Sequence, residues 1–309
     1  MRKRRITDVA ASIRQRLLNL SRERTEDFGL ILSQYAIERL LYRLSCSDYA
    51  SEFVLKGAQL FALWSGTPHR ATRDLDLLCY GEAALARMEA VFRDVCQQQV
   101  SPPDGIVFLA DTVRGRAIRE QTVYDGVRIL VDYALSAARD RVQIDIGFGD
   151  VLTPGPAIVE VPTLLDLPAP RVQAYVLEAV VAEKLEAMVV LGIRNSRMKD
   201  YYDLWALARG FNVDGVSLCR AIRATFSRRR TNTPADPPVG LSNEFCEDRT
   251  KRAQWKAFLR RGRLPAETDL TIVVSELREF LMPPILAVAA GRAFTMAWSY
   301  ASGWLPKRG

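Results

Sequence analysis

The chain contains one histidine. His69 is the only imidazole in 309 residues. A Ser-His-Asp or Cys-His pair needs a histidine beside its nucleophile, and a His-based metal centre needs more than one, so those chemistries are excluded. Cysteine is sparse as well. Cys46, Cys79, Cys96, Cys219 and Cys246 are odd in number, scattered and without a CxxC pair, which argues against a disulfide framework or a zinc site. No apolar run reaches the roughly 18–20 residues of a membrane span. The basic start, MRKRRITDVAASIRQRLL, lacks the apolar centre of a secretory signal. These absences point to a reducing, cytoplasmic setting with no membrane partner.

What is present reads as an ordinary globular chain: 49% hydrophobic, 26% charged, with a net charge of +7 and a pI near 9.3. Such a surface attracts polyanions. Val9, Ile13, Leu17 and Leu18 recur at helical spacing over 7–23, with Thr7 as a candidate cap. The stretch GLILSQYAIERLLYRLSCS carries a broad apolar stripe. From about residue 104 the texture becomes β-rich, and RVQIDIGFG alternates Val142, Ile144, Ile146 and Phe148 with Gln143 and Asp145. The proline-rich segment TPGPAIVEVPTLLDLPAPRV predicts a short edge strand and an interdomain linker. Helical periodicity dominates beyond it, apart from 228–240, which reads as a mobile loop. The expected architecture is α+β: residues 1–168 as a mixed core with a small sheet, and residues 169–309 as a helical C-terminal domain completing the active site.

One short stretch, ATRDLDLL, departs from ordinary strand composition. Asp74 and Asp76 lie one residue apart among Leu75, Leu77 and Leu78, so a strand would place both carboxylates on one face, roughly 6.5–7 Å apart. Facing carboxylates repel unless a cation lies between them. Mg²⁺, which takes oxygen ligands from one or two carboxylates together with substrate phosphates, meets that need. The bland alternative is an edge strand whose aspartates pair with Arg70 and Arg73. Upstream, Lys56-Gly57 falls at a strand-to-helix junction of the kind that receives phosphate. Downstream, Asp145 lies on the polar face of its strand, as a third carboxylate or as a plain surface residue. In MKDYYDLWAL, Asp200 and Asp203 share a helix face, with Lys199 available to neutralise one. Lys184, in AEKLEAM, could equally be a surface lysine paired with Glu183. His69 could touch substrate or lie exposed. KRAQWKAFLRRGR interleaves basic residues with Trp255 and Phe258, as an RNA-facing surface or a solvated amphipathic helix would.

Taken in order, FVLKGAQLFALWSGTPHRATRDLDLL, VQIDIGFGD, AEKLEAMVVLG and KDYYDLWAL resemble the nucleotidyltransferase-type toxins of the AbiEii family, which include the mycobacterial MenT toxins. The resemblance spans roughly residues 25–210. It implies a polymerase-β-like nucleotidyltransferase core and a helical C-terminal domain. It also implies Mg²⁺ as cofactor, a nucleoside triphosphate as substrate, a tRNA 3′ end as acceptor, and a cognate antitoxin in a phage-defence system. By position, Asp74 and Asp76 match the metal-binding aspartates, Lys56, Gly57 and Thr72 the nucleotide-binding motif, and Lys184 the triphosphate-contacting lysine. Asp200 or Asp203 fills the last acidic position, and Asp145 matches more loosely. Ala58 departs from the family's usual Gly-Gly or Gly-Ser, which removes a hydroxyl donor. The rival readings are transfer to a protein or small molecule, and a catalytically silent NTP-binding module.

Overall fold

The structure is a computed structural model that describes residues 8–66, 72–119, 125–149 and 152–307. It divides into two compact units: Met1–Gly149 with Ala157–Ala174, and Asp150–Pro156 with Tyr175–Gly309.

The first unit begins with α1 (Val9–Arg24) and α2 (Phe28–Ser45). Thr7 lies outside the described residues, and Asp8 caps α1 instead, accepting the Ala11 N–H. After α2 come β1 (Phe53–Lys56), α3 (Gln59–Ser65), β2 (Asp74–Cys79), α4 (Leu85–Gln97), β3 (Ile106–Phe108), β4 (Arg114–Arg119), β5 (Asp125–Leu135), β6 (Ala138–Phe148), β7 (Ala157–Glu160) and β8 (Arg171–Ala174). The sheet runs β3-β5-β6-β2-β1-β8-β7, with β4 also on β5. It is the mixed sheet expected, with eight strands among the described residues. The β2–β6 and β1–β8 pairs are parallel and the rest antiparallel. Val142, Ile144 and Ile146 are fully buried, as their alternation implies, and Leu75 and Leu77 pack beside them. β2 is thus a central strand, and its aspartates do not belong to an edge.

Helix α2 is buried on nearly every side, so its polar residues need internal partners. Arg43 grips Asp104 with both terminal nitrogens, at 2.6 and 3.0 Å. Glu38 lies 2.9 Å from Arg39 and accepts the Leu164 N–H, while Arg39 donates to the Pro168 carbonyl. These bonds fix the proline-rich segment 161–170 onto α2, so it is packed structure where a linker was expected. β7 is the edge strand predicted there.

The second unit contains α5 (Leu177–Leu191), α6 (Met198–Gly210), β9 (Val213–Asp214), α7 (Gly215–Arg228), α8 (Asn243–Glu247), α9 (Arg249–Gly262), α10 (Leu270–Ala289), β10 (Met296–Ser299) and β11 (Gly303–Pro306). It is mainly helical, but β11, β10 and β9 form a three-stranded sheet that helical periodicity could not reveal. Trp298 and Trp304 pack there with Phe280 and donate to the Ala208 and Phe280 carbonyls. The start of 228–240 is tied down, because Arg229 and Thr231 both bond Glu186. Among the described residues no helix is long and apolar enough to cross a membrane.

Burial pushes the Glu38 carboxyl up to about 7. A carboxylate whose folded pKa exceeds its unfolded value binds more protons in the native state, so its contribution falls as pH rises from the unfolded value of about 4.3 to 7. Urea denaturation at pH 5.0 and 7.5 should show the wild type losing stability relative to Glu38→Gln over that interval. Equal slopes in the two proteins would refute the assignment.

Candidate active site

On β2, Asp74 and Asp76 point to the face opposite buried Leu75 and Leu77; Asp74 is exposed and Asp76 half-buried. The strand pairing extends this face sideways. Lys56 on β1 lies opposite Asp76, Asp76 opposite Asp145 on β6, Asp145 opposite Arg128 on β5, and Arg128 opposite Arg116 on β4. Five strands therefore contribute one cross-strand row, Lys56–Asp76–Asp145–Arg128–Arg116, with Asp74 one pleat along. Cross-strand neighbours on one face are about 5 Å apart, close enough for charge to decide whether the row is stable.

Arg128 neutralises the middle of the row. Its Nε donates to Asp145 Oδ1 at 2.6 Å and its Nη2 to Oδ2 at 2.7 Å, a bidentate fork. Gln143 adds a longer bond, 3.3 Å to Oδ2. The bond to Asp145 outweighs partial burial, and with the fields of Asp145, Asp74 and Asp76 it holds the Arg128 pKa above the ordinary arginine value. Sequence reading missed Arg128. The two-residue turn between Leu135 and Ala138 fixes the β5–β6 register, and that turn was the signal that placed Arg128 opposite Asp145.

Two glycines shape the space over the row. Gly57 follows β1 with φ +78°, and a Cβ there would lie 2.1 Å from Asp76 Oδ2. Both the left-handed backbone and the close approach require glycine. A Cβ at Gly147 would come within 2.8 Å of Lys56 Nζ, so the lysine side chain crosses β2 to rest its ammonium over β6. Ala58 is buried at the start of α3, which has no side-chain cap. Thr72 donates a long bond, 3.4 Å, to the Asp74 carbonyl. Arg73 turns away to Asp27, at 3.3 Å, so it is not the aspartates' partner. His69 and Arg70 lie outside the described residues.

In the second unit, Lys184 projects from α5 into two aspartates of α6. Its Nζ lies 2.5 Å from Asp200 Oδ1 and 2.9 Å from Asp203 Oδ2. Asp200 and Asp203 are 0% and 1% exposed, as i, i+3 residues on one inward face. Lys184 is therefore no surface lysine, and Glu183 has other partners in Tyr175 and Arg229. Lys199 is exposed; the second cation on Asp200, beside Lys184, is Arg197, 2.7 Å from Oδ2. Burial alone would lower the Lys184 pKa, but the two carboxylates more than offset it and hold the ammonium above the usual lysine range. Burial likewise opposes ionisation of Asp200, yet Lys184 and Arg197 keep it below the ordinary aspartate value. The lysine contribution to stability is thus complete below its unfolded pKa and lost as pH rises beyond the raised one. That of Asp200 is present above its unfolded pKa and lost as pH falls through the depressed one. Lys184 and Asp200 therefore both stay charged across the neutral range.

Two consequences can be measured. Lys184→Ala strands two buried carboxylates and should cost about 3–5 kcal/mol, read as a fall in the urea midpoint; a wild-type midpoint would contradict the network. Gly57→Ala forces a Cβ onto Asp76 and strains the backbone by about 1–2 kcal/mol. The urea midpoint of Gly57→Ala should fall accordingly. An unchanged midpoint would contradict the close approach of Gly57 to Asp76.

None of the curated proteins matches the sequence. Two crystal structures from Helicobacter pylori share a partial likeness. JHP933 is 15% identical with a TM-score of 0.46, over 82% of this chain and 88% of that one. The other, provisionally described as a nucleotidyltransferase, is 16% identical with a TM-score of 0.45, over 82% and 91%. The family model for the nucleotidyl transferase AbiEii toxin of type IV toxin–antitoxin systems matches residues 39–281, most of the chain. The chain therefore belongs to the AbiEii toxin family, and its chemistry is nucleotidyl transfer.

Proposed function

We propose that this toxin is a cytoplasmic, Mg²⁺-dependent enzyme that moves a nucleoside monophosphate from a triphosphate onto the 3′ end of tRNA. Translation is blocked as a result, and a cognate antitoxin restrains the enzyme in phage defence. The observation that carries this reading is the charge row on the sheet, where Asp74 and Asp76 share one face and Asp76 packs its carboxylate against Gly57.

The residues present fit a divalent ion. Asp74 and Asp76 supply hard oxygen donors on one face, and the missing Cβ at Gly57 is what lets the Asp76 carboxylate take its place there. Among the described residues no group of three or more His, Cys, Asp or Glu could hold a metal by itself. Substrate phosphates and water would complete the coordination, as is usual for Mg²⁺. When bound there, the ion neutralises charge that builds on the reacting phosphate.

In the reaction, the acceptor hydroxyl attacks the α-phosphorus, the new O–P bond forms, and pyrophosphate leaves with the electrons of the broken P–O bond. Lys56 places a positive charge beside the aspartates to offset phosphate charge, the kind of preorganised electrostatic stabilisation that dominates such steps. Thr72 braces the strand entry through the Asp74 carbonyl. Asp145 accepts both bonds from Arg128 and still retains lone pairs, so it can take the proton of the acceptor hydroxyl. Lys184 matches by position the triphosphate-contacting lysine of the family pattern, and within the second unit Asp200 and Asp203 hold its ammonium in place.

The test is incubation of the protein with total tRNA, Mg²⁺ and each labelled NTP in turn. One nucleotide should be incorporated into tRNA. Asp74→Ala and Asp76→Ala should reduce incorporation by at least about a hundredfold and abolish growth inhibition while melting as the wild type does. Full activity in Asp74→Ala would overturn the reading. Labelling of protein or of a small molecule, with tRNA untouched, would favour the other acceptors.

A further inference from the structure

The charge of the chain is unevenly placed. Residues 1–174 carry 22 Lys and Arg against 22 Asp and Glu, whereas residues 175–309 carry 21 against 14. The whole excess of +7 thus belongs to the C-terminal part, and α9 concentrates it: residues 249–263 hold seven Lys and Arg and no acid.

The helix sorts these residues by face. Lys251, Trp255 and Leu259 are buried. Lys251 donates to the Asn195 carbonyl, and Trp255 packs with Tyr202 and Phe258 while its Nε1 donates to the Thr268 carbonyl. The aromatic rings that the sequence interleaves with cations therefore serve the core. Arg249, Arg252, Lys256, Arg260 and Arg263 are all exposed. Their spacing of 3, 4, 4 and 3 residues keeps them on one side of the helix, over a length of about 21 Å. Among the described residues the ion pairs of this unit use none of them, although Arg252 is near enough to Asp269 to help hold its carboxyl below the ordinary value.

Helix stability does not account for the stripe. Cations are favourable near a helix C-terminus, which suits Arg260 and Arg263, but unfavourable at the N-terminus. Arg249 and Arg252 lie at that end, where the capping Asp248 and nearby Asp269 are the acids and none occupies the first turn itself. A protein partner would need apolar anchors, and α9 has no large apolar residue exposed. A membrane surface would need an apolar face free to insert, and that face is buried. A line of cations without anchors or stacking rings matches a phosphodiester backbone, which presents a charge about every 3.4 Å per strand.

We propose that the exposed face of α9 is the surface that holds the RNA acceptor, gripping its phosphates without reading its bases. The assignment deepens the proposed function and rests on its RNA acceptor. The probe is a fluorescein-labelled tRNA-length transcript, with a base-scrambled hairpin of equal length beside it, titrated at 50 and 200 mM salt. The wild type should bind both RNAs equally. The R252Q/K256Q/R260Q variant should bind about tenfold or more weakly at the lower salt. Its slope of log affinity against log salt should be shallower by about 2–3, near one phosphate per cation. Arg292→Gln, exposed elsewhere in the same unit, should bind as the wild type does. Wild-type affinity and slope in a triple variant of unchanged melting temperature would overturn the surface. So would strong preference for one base sequence, or displacement of the RNA by polyglutamate of equal charge. Nucleotide incorporation into RNA by the wild type, with RNA binding unaltered in the triple variant, sinks the surface alone. RNA binding that depends on the stripe, with no incorporation into any RNA, sinks the proposed function and leaves the surface standing.

Discussion

Three carboxylates cannot share one face of a sheet unless positive charge is built in beside them. Asp74, Asp76 and Asp145 are brought together by the parallel pairing of β2 and β6, and at strand spacing their mutual repulsion would drive protonation or separation. The fold answers with Lys56 from one side and Arg128 from the other. The row then sets its two adjacent carboxylates between cations, with Lys56 on one side and Arg128 on the other. The glycines at 57 and 147, the bidentate fork on Asp145 and the path of the Lys56 side chain all follow from arranging that compensation in a small space.

The second unit meets the same constraint by burial. Two aspartates on one turn of α6 are enclosed with Lys184 and Arg197, an assembly of two positive and two negative charges. Enclosure of this kind is tolerated only when the partners are all present. The exposed row and the enclosed cluster thus differ in what holds them. The sheet uses register and leaves oxygens accessible, whereas the helices use enclosure and leave almost none.

The sequence made part of this legible. Period-two alternation places Asp74, Asp76 and Asp145 on the polar faces of their strands, and i, i+3 spacing puts Asp200 and Asp203 together. Strand order was not readable, because a parallel pair depends on a crossover through residues that carry no local signal. Arg128 was hidden for a related reason: within GVRILVDY it is a lone charge, and only the hairpin register gives it a partner. Lys199 was the nearer guess for Asp200, but three residues of helix bring Arg197 to it instead. The C-terminal strands escaped because they are short and held by tryptophans. The cations of KRAQWKAFLRRGR were visible as charge, but which of its residues face outward depends on where Trp255 finds its carbonyl.

The alternation of β2 also ties the chemistry to the core. Leu75 and Leu77 are buried on one face while the aspartates occupy the other, and the side-chain period of a strand is two. A slip of one residue against β1 or β6 would drive both carboxylates into the hydrophobic layer and expose both leucines. The strand cannot drift in small steps from an active arrangement to an inactive but folded one. Packing and reactivity are set by the same register, so the acidic pair keeps its place for as long as the leucines keep theirs.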